Sequence, residues 1–512
     1  MNFNLLRWFK KEEPKAPVKG KKMSASRSFK GAIRNRYTDW LTATLTKINA
    51  DTNQDQLGVI TKCRDLAKND PIGRSYLSIC QKNIIGKSGF TLQCQLKDAD
   101  GKLNEKLNDD IEWMFYDWGK AMNSYLTVDG HTGHNDFDAL ILRTLLIDGE
   151  VFIRIHRGAK NPYGVTFELI DAASIDYTKI REAAPSVNAI ILGVEVDKYF
   201  KPVAYHYKPG NSTNYQVGLP ERIDAKDIIH IFKKEFPQQV RGIPPFNATL
   251  DDIKQIQDYR VAELLAAKTA ACLGIFYERN SQPVAGDFLN EGEEEDRGTF
   301  VQSLEPGMAS IAPAGYNVKS VAPTHPNSGY GEFNKSILKQ IASSLGVSYA
   351  KLVKDYEAVN YSSLREATLD ENAYWEEMQA YLIENWKELE FRIFLESIAI
   401  NTDSFKASQI NELLKYHTWI CQKRGWFDPS KEILATERSL KLGLKSPIML
   451  MEEQGLDPDE VMKSWALYES LCKAYGLEFN VKGETADDKL AHEDQDYNDE
   501  NTQTEELETK RD

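Results

Sequence analysis

Apolar positions recur at helical spacing over the longest stretches of this chain, and proline and glycine mark where each stretch begins and ends. Leu250, Ile253, Ile256, Leu264 and Leu265 follow Gly242-Ile243-Pro244-Pro245, and no breaker returns until Gly274. Two prolines cannot lie inside a helix, so they set its start, with Asn247 or Thr249 as cap. The pattern predicts roughly 25 helical residues, about 38 Å long at 1.5 Å per residue. Ala266, Ala267, Ala270 and Ala271 leave one face without bulk, which suits close packing against other copies. A second helix is expected over Gly331 to Leu345, with Phe333, Ile337 and Ile341 in register and Gly346 ending it. The longest run goes from Ser363, in a capping box with Glu366, to Ile400 without Gly or Pro. It would span about 55 Å. Trp375, Met378, Leu382, Trp386, Leu389, Ile393 and Phe394 form its stripe.

The front of the chain alternates helix and strand. Gln56 to Lys68 and Ile72 to Ile85 read as helices parted by Asn69-Asp70-Pro71, a stop followed by a proline suited to a first turn. Asn104 to Ala121 reads as a third. A fourth runs to Ile147 from a cap at Asn135 or Asp136 and stops at Gly149. Strands are predicted at Val151 to His156, Val165 to Ile170, Ala189 to Val196, Pro202 to Tyr207 and Ile228 to Phe232, assembled as a mixed sheet. Asp403 to Gly425 and Pro429 to Phe479 read as helical, with starts at Pro429, Ser446-Pro447 and Asp457-Pro458. The fold class is therefore α+β and predominantly α-helical.

Charge changes this picture at the two ends. Of the 512 residues, 41% are hydrophobic, enough for a real core, and the net charge is −14. Residues 1 to 36 carry roughly nine net positive charges and residues 483 to 512 roughly nine net negative. Both ends are poor in apolar side chains and are expected to be disordered, as a basic arm and an acidic tail. No apolar run approaches the 18 or so residues needed to span a bilayer as a helix, so no membrane is implied. Six cysteines lie far apart without metal-like spacing and read as reduced core residues of a protein made in a cytoplasm.

Several strings, in order, carry a resemblance. They are Arg64 to Asp70, Asn83 to Phe90, Leu145 to Phe152, Gly193 to Asp197, Pro202 to Tyr205, Ile228 to Phe232 with Gln239 to Phe246, Asp258 to Lys268, and Asn360 to Arg365. Together they resemble the lambda-like family of tailed-phage portal proteins over roughly residues 35 to 475. The resemblance implies a portal fold of wing, stem, clip and crown, closing into a ring of about twelve copies around a central channel. The implied division is a wing over 37–243, a stem helix over 244–273, a clip over 274–326 and a second stem helix over 327–346. A tunnel loop over 347–362, a long wing helix over 363–401 and a crown-proximal helical region over 402–482 complete it.

The family role is to nucleate capsid assembly at one vertex, pass double-stranded DNA during packaging and ejection, and join head to tail. Implied partners are the terminase large subunit, head-completion and tail connector proteins, and the major capsid and scaffolding proteins. The implied location is the virion, with the host cytoplasm during assembly, and no cofactor is implied. Lys351, Lys354, Asp355 and Glu357 are the charged members of the implied tunnel loop. Glu293, Glu294, Glu295 and Asp296 form an acidic run in the implied clip, where partners would dock. Twelve copies would carry on the order of −170 formal charges, so an acidic channel would let a duplex slide, with inward lysines as brakes.

Enzymatic chemistry has two places to reside. Asp129, His131, His134 and Asp136 offer metal ligands of ordinary hardness within eight residues, but the spacing matches no established zinc helix and no third site accompanies it. Asp148 and Glu150 flank Gly149 at a strand start, as in some nucleases, but no lysine follows to assist. A metal-dependent nuclease or hydrolase built on these residues is the alternative reading, and a monomeric adaptor is a third. No phosphate-cradling GxxxxGK[ST], no GxSxG and no HExxH occurs. An ATP-driven motor would have to be another polypeptide.

Overall fold

The helix boundaries follow local capping chemistry. In the computed structural model the residues described are 47–98, 100–210, 214, 217–271, 274–279, 316–321, 329–357, 360–402, 406–421, 429–454 and 456–476. Helix α1 (Ile48–Asn69) gives way to α2 (Pro71–Ile84) within two residues. Asp70 accepts from the backbone N–H groups of Ile72 and Gly73, and Pro71 fills the first turn. Strand β1 (Thr91–Cys94) precedes α3 (Glu105–Trp118), which Asn104 caps. Helix α4 (His134–Asp148) starts at Gly133 with no side-chain cap, so neither Asn135 nor Asp136 plays the part expected of it. Asn135 instead donates from Nδ2 to the Lys87 carbonyl at 3.1 Å.

The predicted mixed sheet is two antiparallel ones. Strands β2 (Glu150–Arg157) and β3 (Val165–Ile170) pair with β8 (Ile228–Phe232) in the order β3-β2-β8. A second sheet holds β4 (Ala189–Ile191), β5 (Val194–Val196), β6 (Pro202–Tyr207) and β7 (Glu221–Asp224) in sequential order. The single strand expected over Ala189 to Val196 is thus a hairpin turning at Leu192-Gly193, where both residues have positive φ.

Strand β2 sets the architecture. Val151, Ile153 and Ile155 face a helical core with Trp118, Phe167, Trp386 and Phe394. Phe152, on the opposite face, joins a second core with Ile170, Val194, Tyr205 and Ile223. One strand buried on both sides therefore couples the helices to the smaller sheet.

A 3-10 turn (Pro245–Thr249) leads into α5 (Leu250–Ala271). Neither expected residue caps it by accepting an N–H, and the Thr249 hydroxyl donates back to the Phe246 carbonyl at 3.0 Å. Strands β9 (Gly274–Arg279) and β10 (Tyr316–Val321) pair antiparallel, and α6 (Tyr330–Ser344) follows, closed at Gly346 with φ +69°. Residues 347–362 are not irregular throughout: Ser348 caps α7 (Tyr349–Val353), whose Leu352 is buried. Asn360, not Ser363, caps α8 (Tyr361–Leu382). A π turn at Ile383–Lys387 joins α8 to α9 (Glu388–Asn401), and of the expected stripe only Leu389 is left partly exposed.

Within the stretch expected to be helical from Asp403 to Gly425, the described residues 406–421 hold a short α10 (Ile410–Leu413) and a strand, β11 (His417–Ile420), paired with β1. Helices α11 (Pro429–Lys441), α12 (Pro447–Glu453) and α13 (Pro458–Tyr475) begin at the three predicted prolines, with Ser446 and Asp457 as caps. No described helix is long and apolar enough to cross a membrane. Burial pushes the thiols of Cys63 and Cys80 up to about 12.

Trp118 is fully buried between α3, α9 and β3, stacked on Phe394 at 5.0 Å and donating from Nε1 to the Val165 carbonyl at 3.1 Å. Trp118→Ala is expected to lower unfolding stability by about 3–5 kcal/mol, measured by urea denaturation followed by circular dichroism. A loss under about 1 kcal/mol would show that the core repacks around the gap.

Candidate functional site

Three of the sequence strings that lie far apart in the chain meet at one buried point. The turn after α4 requires Gly149 at φ +81°, and a Cβ there would lie 2.3 Å from the Ile243 carbonyl carbon. Gly242 is equally constrained, since a Cβ on it would stand 2.0 Å from the Gly149 carbonyl oxygen. Two glycines thus let the start of β2 touch the segment that leads into α5.

Glu150 and Arg241 occupy the centre of that contact, and both are 0% exposed. Arg241 donates from Nη2 to Glu150 Oε1 at 2.6 Å and from Nε to Oε2 at 2.8 Å. Gly242 N, Gln56 Nε2 and His230 Nε2 reach the same carboxylate at 3.1 Å each. The remaining guanidinium face bonds the Leu192 carbonyl at 2.6 Å and lies over the Tyr177 ring at 4.2 Å. Burial works against the charge on Glu150, but Arg241 and His230 outweigh it and hold the carboxyl down at about 2. Burial lowers His230, so the neutral imidazole donates from Nε2 to Glu150.

Next to it, Arg64 of α1 grips Asp148 and Asp171 together. Its Nε and Nη2 reach Asp148 at 2.8 and 2.5 Å, and Nη2 and Nη1 reach Asp171 at 2.6 and 3.2 Å. Asp148 and Glu150, the pair that suggested a nuclease centre, are therefore each committed to an arginine. The other enzyme-like group separates too. Asp129 accepts from the Thr127 hydroxyl in a surface turn, while His131 is exposed. His134 stacks on Phe115 at 4.4 Å with Nδ1 3.1 Å from Glu390. Among the described residues no group of three or more His, Cys, Asp or Glu is arranged to hold a metal.

Sequence reasoning missed a second buried charge cluster. Lys387 lies at the π turn, 0% exposed, and reaches Glu390 at 2.5 Å and Asp138 at 3.2 Å, while Trp386 Nε1 donates to Asp138 at 2.7 Å. The π turn rotates Trp386 and Lys387 inward together. A lysine amid Trp386 and Leu389 in an unbroken helical run was the signal available. Burial opposes the Lys387 charge, but the two carboxylates outweigh it and hold the ammonium charged.

From the first node, α5 leaves alongside α6. Ile253 and Ile256 are buried against the body, and Gln257 Nε2 donates to Asp70 at 2.6 Å. Near the base Gln340 meets Asp252 at 3.4 Å, and farther out Tyr259 packs on Tyr330 and Phe333 at 5.3 and 5.5 Å, so the helices run antiparallel. Beyond that contact Val261 and Leu264 are 62% and 57% exposed.

The loop after α6 is anchored rather than loose. Lys351 Nζ is hydrogen-bonded to Glu371 of α8, and Ser348 N donates to the same carboxylate at 2.7 Å. Asp355 accepts from the Tyr349 hydroxyl at 2.9 Å and from Lys335 at 3.3 Å, and these bonds hold its carboxyl below the usual range. Glu357 is exposed, and its N–H donates to Asp355 at 3.3 Å. Lys354 is exposed at the turn itself, with φ +58°. Glu293, Glu294, Glu295 and Asp296 lie outside the described residues.

The sequence pattern of the phage portal proteins of the lambda family matches residues 34–379. The probable portal protein of Halomonas phage phiHAP-1 is 27% identical over 456 residues, covering 88% of each chain. Portal protein B of Escherichia phage lambda is 22% identical over 298 residues, 52% of this chain and 56% of that one. Among solved structures, the neck of a native GTA particle computed with C12 symmetry aligns at 13% identity with a TM-score of 0.42. That alignment covers 79% of this chain and 94% of the other.

Glu150→Gln leaves a buried guanidinium without its counter-charge, and the expected loss is about 3–5 kcal/mol. Adding Arg241→Met should recover part of it, a coupling read from urea melts of the two single variants and the double. The carboxyl is depressed from 4.5 to about 2, so its stabilisation is complete above the unfolded value and is lost as pH falls from there towards 2. Wild-type stability should therefore drop over that window, and Glu150→Gln should flatten the drop. Additive single losses would contradict the pairing.

Proposed function

The chain belongs to the lambda family of phage portal proteins, head-tail connectors of phage-like particles, and from that premise we propose that about twelve copies close into a ring at one capsid vertex. Its central channel passes double-stranded DNA during packaging and ejection. The observation that carries this reading is the antiparallel pair of α5 and α6, with Val261 and Leu264 exposed beyond the Tyr259 contact. Adjacent pairs around a closed ring cover those side chains, because a head-to-tail contact that closes by rotation repeats the same interface at every step.

On this reading α5 and α6 are the stem, β9 and β10 belong to the clip, and the sheets with α1 to α4, α8 and α9 are the wing. The terminase large subunit docks at the clip before the connector proteins do, and the acidic run at 293–296 is the proposed contact. Capsid and scaffolding proteins surround the ring in the virion, and assembly takes place in the host cytoplasm. Portal proteins are structural rather than catalytic, and this chain makes or breaks no bond; another polypeptide supplies the energy for packaging.

The loop over 347–362 faces the channel. Lys354, exposed at the tip of its turn, is the cation offered to the duplex. Lys351 holds the loop in place through Glu371. A few inward lysines on an otherwise acidic ring slow the DNA without trapping it, since each neutralised phosphate adds only a modest, salt-dependent attraction.

Native mass spectrometry of the purified chain should show one assembly at about twelve times the 58.2 kDa protomer mass, and a strictly monomeric protein across salt and magnesium would overturn the ring. Lys354→Ala is expected to leave the assembly mass unchanged while lowering the DNA retained per particle, measured by nuclease protection. Unaltered retention would remove the loop from the channel.

A further inference from the structure

The C-terminal helices carry more apolar surface than one protomer buries. Met462, Trp465, Leu467, Leu471 and Tyr475 of α13 are all exposed, as are Ile433 and Leu440 of α11, Leu442 and Leu444 just after it, and Ile448 and Met449 of α12. Their combined exposed area is on the order of 1,000 Å², against roughly 800 Å² per partner in a stable interface. A monomer's largest apolar patch is normally a few hundred Å².

The distribution around α13 identifies what covers it. At about 100° per residue, Leu467, Leu471, Tyr475, Trp465 and Met462 occupy an arc of roughly 220°, twice the stripe of a helix packed on one side. Polar contacts near its start tie it to its own body: Lys463 Nζ to Asp109 at 3.2 Å, and Asp457 Oδ1 accepting from Gln93 at 3.0 Å. Those contacts set where the helix stands and leave its two apolar flanks outward. A groove of about 660 Å³ beside Val461, Trp465 and Tyr468 is wide enough for a side chain from outside. A single ligand or partner peptide covers one flank. Two neighbours in a closed ring cover both.

We infer that α13 is clamped between two further copies of this chain, so that residues 429–475 form a second inter-subunit contact separate from α5 and α6. This inference rests on the ring reading and names the surface that holds it. It also assigns Trp465 and Leu471 to cohesion of the ring.

The test uses the full chain with a photo-crosslinking benzoylphenylalanine at Leu467 or, separately, at Met462, which lie on opposite flanks. Irradiation of assembled rings should give a ladder of dimers and higher multimers from both positions. Trp465→Asp combined with Leu471→Asp should shift ring dissociation to lower urea, while the protomer keeps its circular dichroism. Crosslinks confined to one chain or made to a different polypeptide overturn the inference, as do variant rings as resistant as wild type, and each leaves the ring reading standing. A full chain that forms no ring before irradiation strikes the ring reading itself, so the two failures are told apart.

Discussion

A carboxylate and a guanidinium, both removed from water, hold the point from which the rest of the molecule is oriented. Isolating either Glu150 or Arg241 costs several kcal/mol, and their attraction is supported by further hydrogen bonds, from Gly242, Gln56 and His230 to the carboxylate and from Arg241 to the Leu192 carbonyl. The pair joins the first residue of β2 to the last segment before α5. Strand β2 is packed on both faces, so its position is fixed by two cores at once. Arg241 transfers that position to Gly242 and the two prolines, and hence to the direction in which α5 leaves. Gly149 and Gly242 permit the approach, and a Cβ on either would push the backbones apart. A long helix pair needs such a base, because a small change of angle there becomes a large displacement at its tip.

Much of the helical framework was legible because it is local. Pro71, Pro429, Pro447 and Pro458 open helices where the sequence put them, and Asp70, Ser446 and Asp457 cap three of these. The apolar stripe of α8 and α9 depends only on spacing. Pairings at long range were not legible. Strands β1 and β11 lie more than 300 residues apart and are too short to declare themselves, so β11 read as helix. The sheet read as mixed because composition does not record strand direction, and the turn at Leu192-Gly193 left a hairpin looking like one strand.

The site was legible in its strings and not in its chemistry. Asp148 and Glu150 stood out as carboxylates beside a strand, but their arginines come from 84 and 91 residues away, and no local pattern announces that. Lys387 was concealed by the π turn, since on a regular helix its neighbours would have pointed it outward. Lys351 and Lys354 looked equivalent on paper. The fold separates them, one bonded to Glu371 and one exposed at a left-handed turn. The sequence marked α11 to α13 as helices through their prolines, but only the structure shows how much of their apolar surface the protomer leaves uncovered.

We propose that the Glu150–Arg241 node aims α5 and α6 at an axis shared by many copies. An electron-microscopy reconstruction of the assembled protein tests it most directly. The account predicts that the α5–α6 pairs stand around a bore wide enough for a DNA duplex, each leaving its protomer at the Gly242–Pro245 bend. A reconstruction in which these paired rods diverge from every symmetry axis, or lie on the outer surface, would contradict it.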